Sequence, residues 1–387
     1  MTDMPSTTDA DQSDELFATL AATADTAGTA AMFETLAATL TARRQWHALF
    51  DLRLVEARTD LGLPPTGDLG ELSPAVRDQL DERSLAACRE IGWPLLDEGQ
   101  VAAAWMYLRA AAAPAEVSER LAGMAATIVA ARENSLDEGA TARLEEIVHV
   151  ALWEGVDPAL GIELVISVNG TCNAITAYEQ AVSRLPARRQ EAAAGVLVRH
   201  LHREVAGKAD DGSIHVDVSH LQSVLRIARV CTDQAVIGAA WELACYACRL
   251  PAELVYPGEP PFENVGEASR LFFGAQLGHD VKEAIGFFRR AAARASIEES
   301  GTLPSDTLVL LLTRLGQPAA ALHAALERPA DGPMPSAMLA SGMLPSLVEL
   351  ATAADAWDEL LAACQARGDT ITYAATLAAR RLTHERG

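Results

Sequence analysis

The residues best placed to do chemistry in this chain are histidines near its middle. His200, His202, His215 and His220 all lie in the segment VRHLHREVAGKADDGSIHVDVSHLQ. Alternation along an extended segment would put His215 and Asp217 on one face, and His220 follows at the start of the next predicted helix. Imidazole and carboxylate groups in this order can supply three ligands to Zn, Mn or Fe. The pattern therefore predicts a divalent-metal site at His215, Asp217 and His220.

Further residues could complete a catalytic site around such a metal. His149 or Glu204 would act as a base or a fourth ligand, and Asn169 and Asn173 would orient a small polar substrate. A bound metal ion lowers the pKa of its water ligand and so generates a nucleophile or base. The hypothesis that follows is a metal-dependent enzyme on an all-helical scaffold.

The same residues also have a structural interpretation. Asp217 or Ser219 is a favourable N-cap for the helix that follows. His200 and His202 stand two apart on a predicted helix and so point to different sides, while His200 is one turn from Glu204. From the sequence alone, the metal site and the structural roles both remain open.

The cysteine pattern favours structure over redox chemistry. Cys245 and Cys248 have Cys-x-x-Cys spacing, but they lie inside the predicted helix AAWELACYACRL. A thioredoxin-type site would need a preceding strand and a helix start. The six cysteines are spread along the chain and are expected to be reduced thiols, which predicts a cytoplasmic location.

Charge and missing motifs exclude several function classes. The net charge of −22 would repel nucleic acids and anionic membranes, but it is compatible with a basic partner. The N-terminus carries no secretory signal, and no run of about 18 apolar residues predicts a membrane span. The sequence contains no dinucleotide glycine motif, no Walker loop and no nucleophile elbow, which argues against nucleotide and serine-hydrolase chemistry.

The elements that would position these residues are helices. Half of the 387 residues are hydrophobic, only 5% are aromatic, and alanine is frequent. Alanine is the best helix former, and strand-forming residues are scattered. The composition therefore predicts an all-α protein.

The segment Leu85–Pro114 indicates how these helices would pair. Gly92 is a small residue on a first helix, Gly99 breaks the chain into a turn, and Ala104 and Leu108 share one face of a second helix. The distance between packed helices depends on the side chains at their contact. The pattern predicts two antiparallel helices in close approach.

With these residues and Ala111, the segment resembles a tetratricopeptide repeat. It departs from that family at Leu95, where an aromatic residue is usual, and at Pro94. A second segment, LFFGAQLGHDVKEAIGFFRRAAARA, is similar to the related Sel1-type repeat. The residues that carry this similarity are Gly278, Ala284, Phe288, Ala291 and Ala292. The resemblance implies a superhelix that binds a peptide or protein in a concave groove, and it implies no activity by itself.

The glycine turns at Gly99, Gly278, Gly316 and Gly368 are unevenly spaced, whereas a regular array would show one period. The expected fold is therefore an irregular α-solenoid, a right-handed, TPR-like superhelix of antiparallel hairpins. The expected organisation has four parts along the chain. These are a disordered acidic tail at 1–13, a helical region at 14–205, a loop-rich middle at 206–267, and repeat-like hairpins at 268–387.

The leading functional prediction is a non-catalytic scaffold that binds a peptide or partner protein, with acidity favouring a basic segment. It requires no cofactor, whereas the alternative, the metal-dependent enzyme, requires Zn, Mn or Fe. A subunit of a larger assembly is a third possibility.

Overall fold

The structure is a computed structural model that describes residues 7–131, 138–206, 216–251, 253, 255–258, 260–328 and 337–385. In these residues the regular secondary structure is helical throughout, and no strand occurs. The prediction of an all-α protein is confirmed. The chain divides into two compact units, Met1–Asp157 and Pro158–Gly387.

The N-terminal unit is a succession of helices, and a loop at 61–73 separates the third helix from the fourth. Its helices are α1 (Thr7–Ala27), α2 (Thr29–Ala42), α3 (Trp46–Asp60), α4 (Pro74–Asp97), α5 (Val101–Ala111), α6 (Pro114–Ala131) and α7 (Glu138–Val148), and a π-helical turn (His149–Trp153) follows α7. Helices adjacent in sequence pack against each other from α1 to α5, and α7 packs on both α5 and α6. Leu49, Ile91, Leu108, Leu121 and Ile147 are among the fully buried side chains.

The C-terminal unit contains the remaining helices. They are α8 (Pro158–Ala177), α9 (Ala187–Val205), α10 (Val218–Ile227), α11 (Gln234–Arg249), α12 (Val265–Gln276), α13 (Val281–Arg294), α14 (Ile297–Ser300), α15 (Leu303–Arg314), α16 (Pro318–Leu326), α17 (Ala337–Ala340), α18 (Leu347–Ala354), α19 (Trp357–Arg367) and α20 (Thr370–His384). A π-helical turn (Tyr178–Val182) follows α8, and a 3-10 turn (Ala228–Val230) follows α10. Helix α9 packs on α8 and α11, and α15 packs on α13 and α16.

Side-chain caps explain where several helices begin. Ser73 caps α4, with Pro74 in the first helical position. Ser346 and Glu349 form a capping box at α18. The N-cap Asp233 of α11 accepts a hydrogen bond from the Val236 N–H. These local signals fix helix starts independently of long-range packing.

The hairpin predicted between Leu85 and Pro114 is formed by α4 and α5. Gly99 ends α4 with φ 81°, a left-handed conformation that favours glycine. Ala104 and Leu108 are fully buried, whereas Ala111 is half-buried. The prediction of a glycine turn and a buried small-residue face is confirmed at this hairpin.

Helix α8 is broken at Gly170, where φ 83° and ψ 175° are not helical. The Asn169-Gly170 dipeptide in this apolar run is itself a local signal for such a kink. By length and composition alone, the segment Pro158–Val182 could cross a membrane, contrary to the sequence expectation of no such segment. A third of its apolar 18-residue stretch is buried in the structure, and core helices of soluble proteins pass the same compositional test.

The predicted domain boundaries can be compared with the two units. The boundary at Asp157–Pro158 lies inside the predicted helical region 14–205, and 206–267 lies wholly in the C-terminal unit. The predicted tail, 1–13, overlaps α1, which begins at Thr7, and residues 1–6 lie outside the described residues.

Candidate ligand-binding sites

Asp217, one of the predicted metal ligands, is the N-cap of α10. Its Oδ1 accepts hydrogen bonds from the Ser219 N–H at 2.8 Å and from the Ser219 hydroxyl at 2.5 Å. These bonds hold the pKa of Asp217 below its ordinary value. The structural interpretation of Asp217 as a helix cap is confirmed.

The other two predicted ligands are placed differently. His220 lies in the first turn of α10 and is half-buried, while His215 lies outside the described residues. Within the described residues, no three His, Cys, Asp or Glu side chains are grouped so that they could hold a metal ion. The metal site stays a prediction that involves a residue whose position is not described.

His149 belongs to the N-terminal unit, in the π-helical turn after α7. Its Nε2 lies 3.6 Å from Glu154 Oε1, and its side chain is 60% exposed. Nearby on α7, Glu146 Oε2 accepts a hydrogen bond from the Ala102 N–H at 2.9 Å. Glu146 therefore caps the start of α5 from another helix.

The predicted substrate-orienting residues, Asn169 and Asn173, flank the break in α8 and are exposed. Asn173 Nδ2 donates a hydrogen bond to the Asn169 carbonyl at 2.8 Å, so the two lie together. This pairing spans the non-helical Gly170. It gives both residues a local structural role.

Glu204, the predicted base, pairs with His200 in α9. Glu204 Oε1 lies 3.4 Å from His200 Nε2, as the one-turn spacing predicts. The same ring nitrogen lies 2.9 Å from the Thr171 hydroxyl of α8. Burial lowers the pKa of His200, and the Glu204 charge opposes that shift.

Cys245 and Cys248 both lie in α11, as predicted. Neither faces the core fully, because Cys245 is half-buried and Cys248 is exposed. Burial raises the pKa of both thiols. A redox-active Cys-x-x-Cys site lowers a thiol pKa, so this pair lacks the electrostatics of such a site.

A groove runs along α13, α15 and α16 in the predicted repeat-like region. Its volume is about 630 Å³. Half of its ten lining residues are alanines, and Arg289, His323 and Glu327 are the charged or titratable ones. The alanines are Ala292, Ala293, Ala295, Ala320 and Ala324. Small side chains leave room for a ligand's backbone or side chains along this surface.

A second, smaller cavity lies beside α10. Its volume is about 330 Å³, within the range of small-molecule sites. One wall is polar and comes from α10 and the 3-10 turn after it, and the other includes the segment around Tyr256 and the starts of α12 and α15. The polar residues are Ser219, Gln222, Ser223, Arg226 and Arg229.

The sequence pattern did not reveal this polar wall. Its members stand at positions i, i+3, i+4 and i+7, the pattern of a single helix face, followed three residues later by Arg229. Such a pattern is typical of a solvated face. The informative signal was Arg229 itself, placed between the apolar residues Ala228 and Val230.

Comparison with known proteins gives no match: no protein-family model, no curated protein and no solved structure is similar enough to assign a family. A functional proposal for this chain therefore depends on its own residues and their geometry.

Proposed function

We propose that this protein is a non-catalytic, cytoplasmic scaffold of TPR- and Sel1-like helix hairpins that binds a basic peptide or a basic segment of a partner protein. The observation that carries the proposal is the alanine-lined groove along α13, α15 and α16. Binding there needs no cofactor and no reacting group.

The small residues of the hairpins support a repeat-like arrangement. In the C-terminal unit, Gly278 has φ 90°, and the Sel1-like positions Ala284, Phe288 and Ala291 are buried between helices. This is the distribution that close hairpin packing requires.

A recurrent ion pair also supports repetition along the chain. Within the described residues, Asp carboxylates pair with Arg residues 22 or 23 positions later in both units. These pairs are Asp60–Arg83, Asp97–Arg120, Asp306–Arg328 and Asp358–Arg380. The similar spacing is consistent with structural units of similar size, as an irregular solenoid would have.

Charge supports a basic occupant. The chain carries a net charge of −22, which attracts cationic segments and speeds their association. At the groove, His323 lies between two carboxylates, with Nε2 3.2 Å from Glu327 Oε1 and Nδ1 3.8 Å from Glu359 Oε1. Both carboxylates are exposed and could pair with a Lys or Arg of the ligand.

Selection of random peptides on the full chain would test this proposal. We expect the selected peptides to be enriched in Lys and Arg and to bind less tightly as salt is added. Ala324→Trp, which fills the groove, should weaken their binding by about tenfold or more. Ala319→Trp is the matched control, because Ala319 is an exposed residue of the same helix that does not line the groove.

Two results would contradict the proposal. One is a selection without Lys or Arg enrichment. The other is equal loss of binding in the two tryptophan variants, which would place the ligand elsewhere. Thermal melts of both variants would confirm that each is folded.

A further inference from the structure

Arg229 is a buried cation, 7% exposed, and no Asp or Glu among the described residues pairs with it. Within the same part of the chain, its Nε has no hydrogen-bond partner. The neighbouring charge is Arg226, which is of the same sign, and the Phe262 ring lies 5.5 Å from the guanidinium carbon. Burial and Arg226 together lower the pKa of Arg229 to about 10, so it is still charged at neutral pH.

An unpaired buried charge is costly, and proteins usually pair such groups or use them for binding. Arg229 has five N–H donors and no acceptor. The ring of Phe262 offers a weak cation–π contact, which does not replace a carboxylate. The missing component at Arg229 is therefore an anion.

The wall around Arg229 presents further hydrogen-bond donors. Arg226 is exposed, and its Nη2 donates to the Ser223 hydroxyl at 3.1 Å. Gln222 Nε2 donates to the Tyr256 carbonyl at 2.6 Å, which ties the Tyr256 segment to α10. No Asp or Glu is among the described residues that line the cavity. Its charged groups are both cations.

The opposite wall of the cavity is apolar. Phe262, Val265 and Leu303 line it, and Tyr256 is 64% exposed beside them. A volume of about 330 Å³ holds a small molecule and excludes a folded partner. We infer that this cavity binds a small amphipathic anion, with a carboxylate or phosphate group on Arg229 and Arg226 and a flat apolar body against Phe262, Val265 and Leu303.

This inference is independent of the proposed peptide groove, with which the cavity shares no lining residue. The overall negative charge of the chain repels anions at long range. Recognition must therefore come from contacts within the cavity, and a planar guanidinium is suited to carboxylate and phosphate because it binds them bidentately.

The test uses benzoate and phenyl phosphate as probes on the full chain, with binding measured by calorimetry and by the shift in melting temperature. At least one of the two should bind and raise the melting temperature, and their relative affinity distinguishes a carboxylate site from a phosphate site. Neutral benzyl alcohol should bind at least about tenfold more weakly, because it lacks the charge. Acetate and inorganic phosphate should also bind more weakly, because they lack the apolar body.

Substitutions of the two cavity arginines test whether the probes bind in this cavity. Arg229→Met should weaken binding of the preferred probe by about thirtyfold or more, while the ligand-free melting temperature stays the same or rises, because an unpaired buried charge is removed. Arg226→Gln, at an exposed position, should weaken binding without lowering stability. Arg188→Gln removes the same charge at an exposed site on α9 and should leave binding unchanged.

The inference would be overturned if neither anion binds, or if benzyl alcohol binds as well as the anions. If acetate or inorganic phosphate binds as tightly as the aromatic probes, the proposed contact between an apolar ligand body and the apolar wall is wrong. Unchanged binding in both Arg226→Gln and Arg229→Met would place the ligand elsewhere. A lowered ligand-free melting temperature in Arg229→Met would show that Arg229 serves folding.

Discussion

Gly92 of α4 lies directly against the side chain of Leu108 of α5. A Cβ atom at position 92 would lie 2.5 Å from Leu108 Cγ and 2.6 Å from its Cδ2. Leu108 is fully buried, so it has little freedom to move away. The absence of a side chain at Gly92 is what lets α4 and α5 pack this closely.

Gly92→Ala should therefore destabilise the protein, by about 1–3 kcal/mol, through overpacking. Gly123→Ala is the matched control, because Gly123 lies in helix α6 and a Cβ atom added there would meet nothing within 4 Å. That change should stabilise the protein by about 0.5–1 kcal/mol. Urea unfolding of the two variants measures both effects, and a stabilised Gly92→Ala would show that the α4–α5 contact is looser than described.

Asp217→Ala should cost about 1 kcal/mol of unfolding free energy, because it removes the N-cap of α10. Asp217→Asn should retain most of that stability. Because the folded-state pKa of Asp217 is lowered, the charge-dependent part of the cap is present above the unfolded pKa of about 3.9 and is lost as pH falls through the folded pKa. The stability difference between wild type and Asp217→Asn should therefore change only below about pH 4, as measured by urea unfolding at a series of pH values.

Metal analysis separates the cap from the predicted metal site. We expect the purified chain to hold no stoichiometric Zn, Mn or Fe, and added metal to leave its melting temperature unchanged, since the Asp217 carboxylate already accepts two hydrogen bonds from Ser219. A stoichiometric ion whose stabilising effect disappears in both Asp217→Asn and His220→Ala would instead support the metal-dependent enzyme.

Asp306→Ala should destabilise the protein by about 3–5 kcal/mol. Asp306 is 2% exposed and accepts hydrogen bonds from Arg328 Nη1 at 2.9 Å and from the Thr302 hydroxyl at 2.8 Å. Loss of this carboxylate breaks a buried ion pair, because the side chains of both Arg328 and Asp306 are largely buried. Asp358→Ala breaks a pair of the same 2.9 Å length with Arg380, but at an exposed site, and should cost about 1 kcal/mol or less. Similar losses in the two variants, measured by urea unfolding, would contradict the assigned difference in burial.

Thiol labelling should follow exposure. Cys172 and Cys248 are both exposed, but burial raises the pKa of the Cys248 thiol, so Cys172 should react first with iodoacetamide, as resolved by mass spectrometry of the native protein. Cys231 is 2% exposed, and burial raises its pKa to about 12, so it should react only after unfolding. Cys172→Ser should remove the fastest phase and leave the others, and early modification of Cys231 would indicate local opening around it.

Local rules in the sequence were sufficient for much of the fold. Helix α2 (Thr29–Ala42) begins after Gly28, whose φ of 90° is not helical, and ends at the C-cap Arg43. The N-cap Asp217 and the break at Gly170 are also local features, each decided by a few neighbouring residues. Such features depend on the conformational preferences of individual residues, which can be inferred from the residue types alone.

The candidate sites depend on contacts between distant parts of the chain, and sequence patterns did not reveal them. The Phe262 ring lies against the Arg229 guanidinium, and Leu303 lines the same cavity from another helix, so the environment of Arg229 is absent from its own helix pattern. The groove likewise needs Ala292 of one hairpin and Ala324 of the next to lie at one surface. The Sel1-like resemblance includes Ala292, but it does not distinguish buried positions from those that line a groove.

The break at Gly170 also limits the length of the straight part of α8. At about 1.5 Å of rise per residue, the arm of α8 before it, residues 158–169, extends about 18 Å. The hydrocarbon core of a bilayer is about 30 Å thick. In this conformation α8, which by length and composition could cross a membrane, has no straight arm before the break that is long enough to do so.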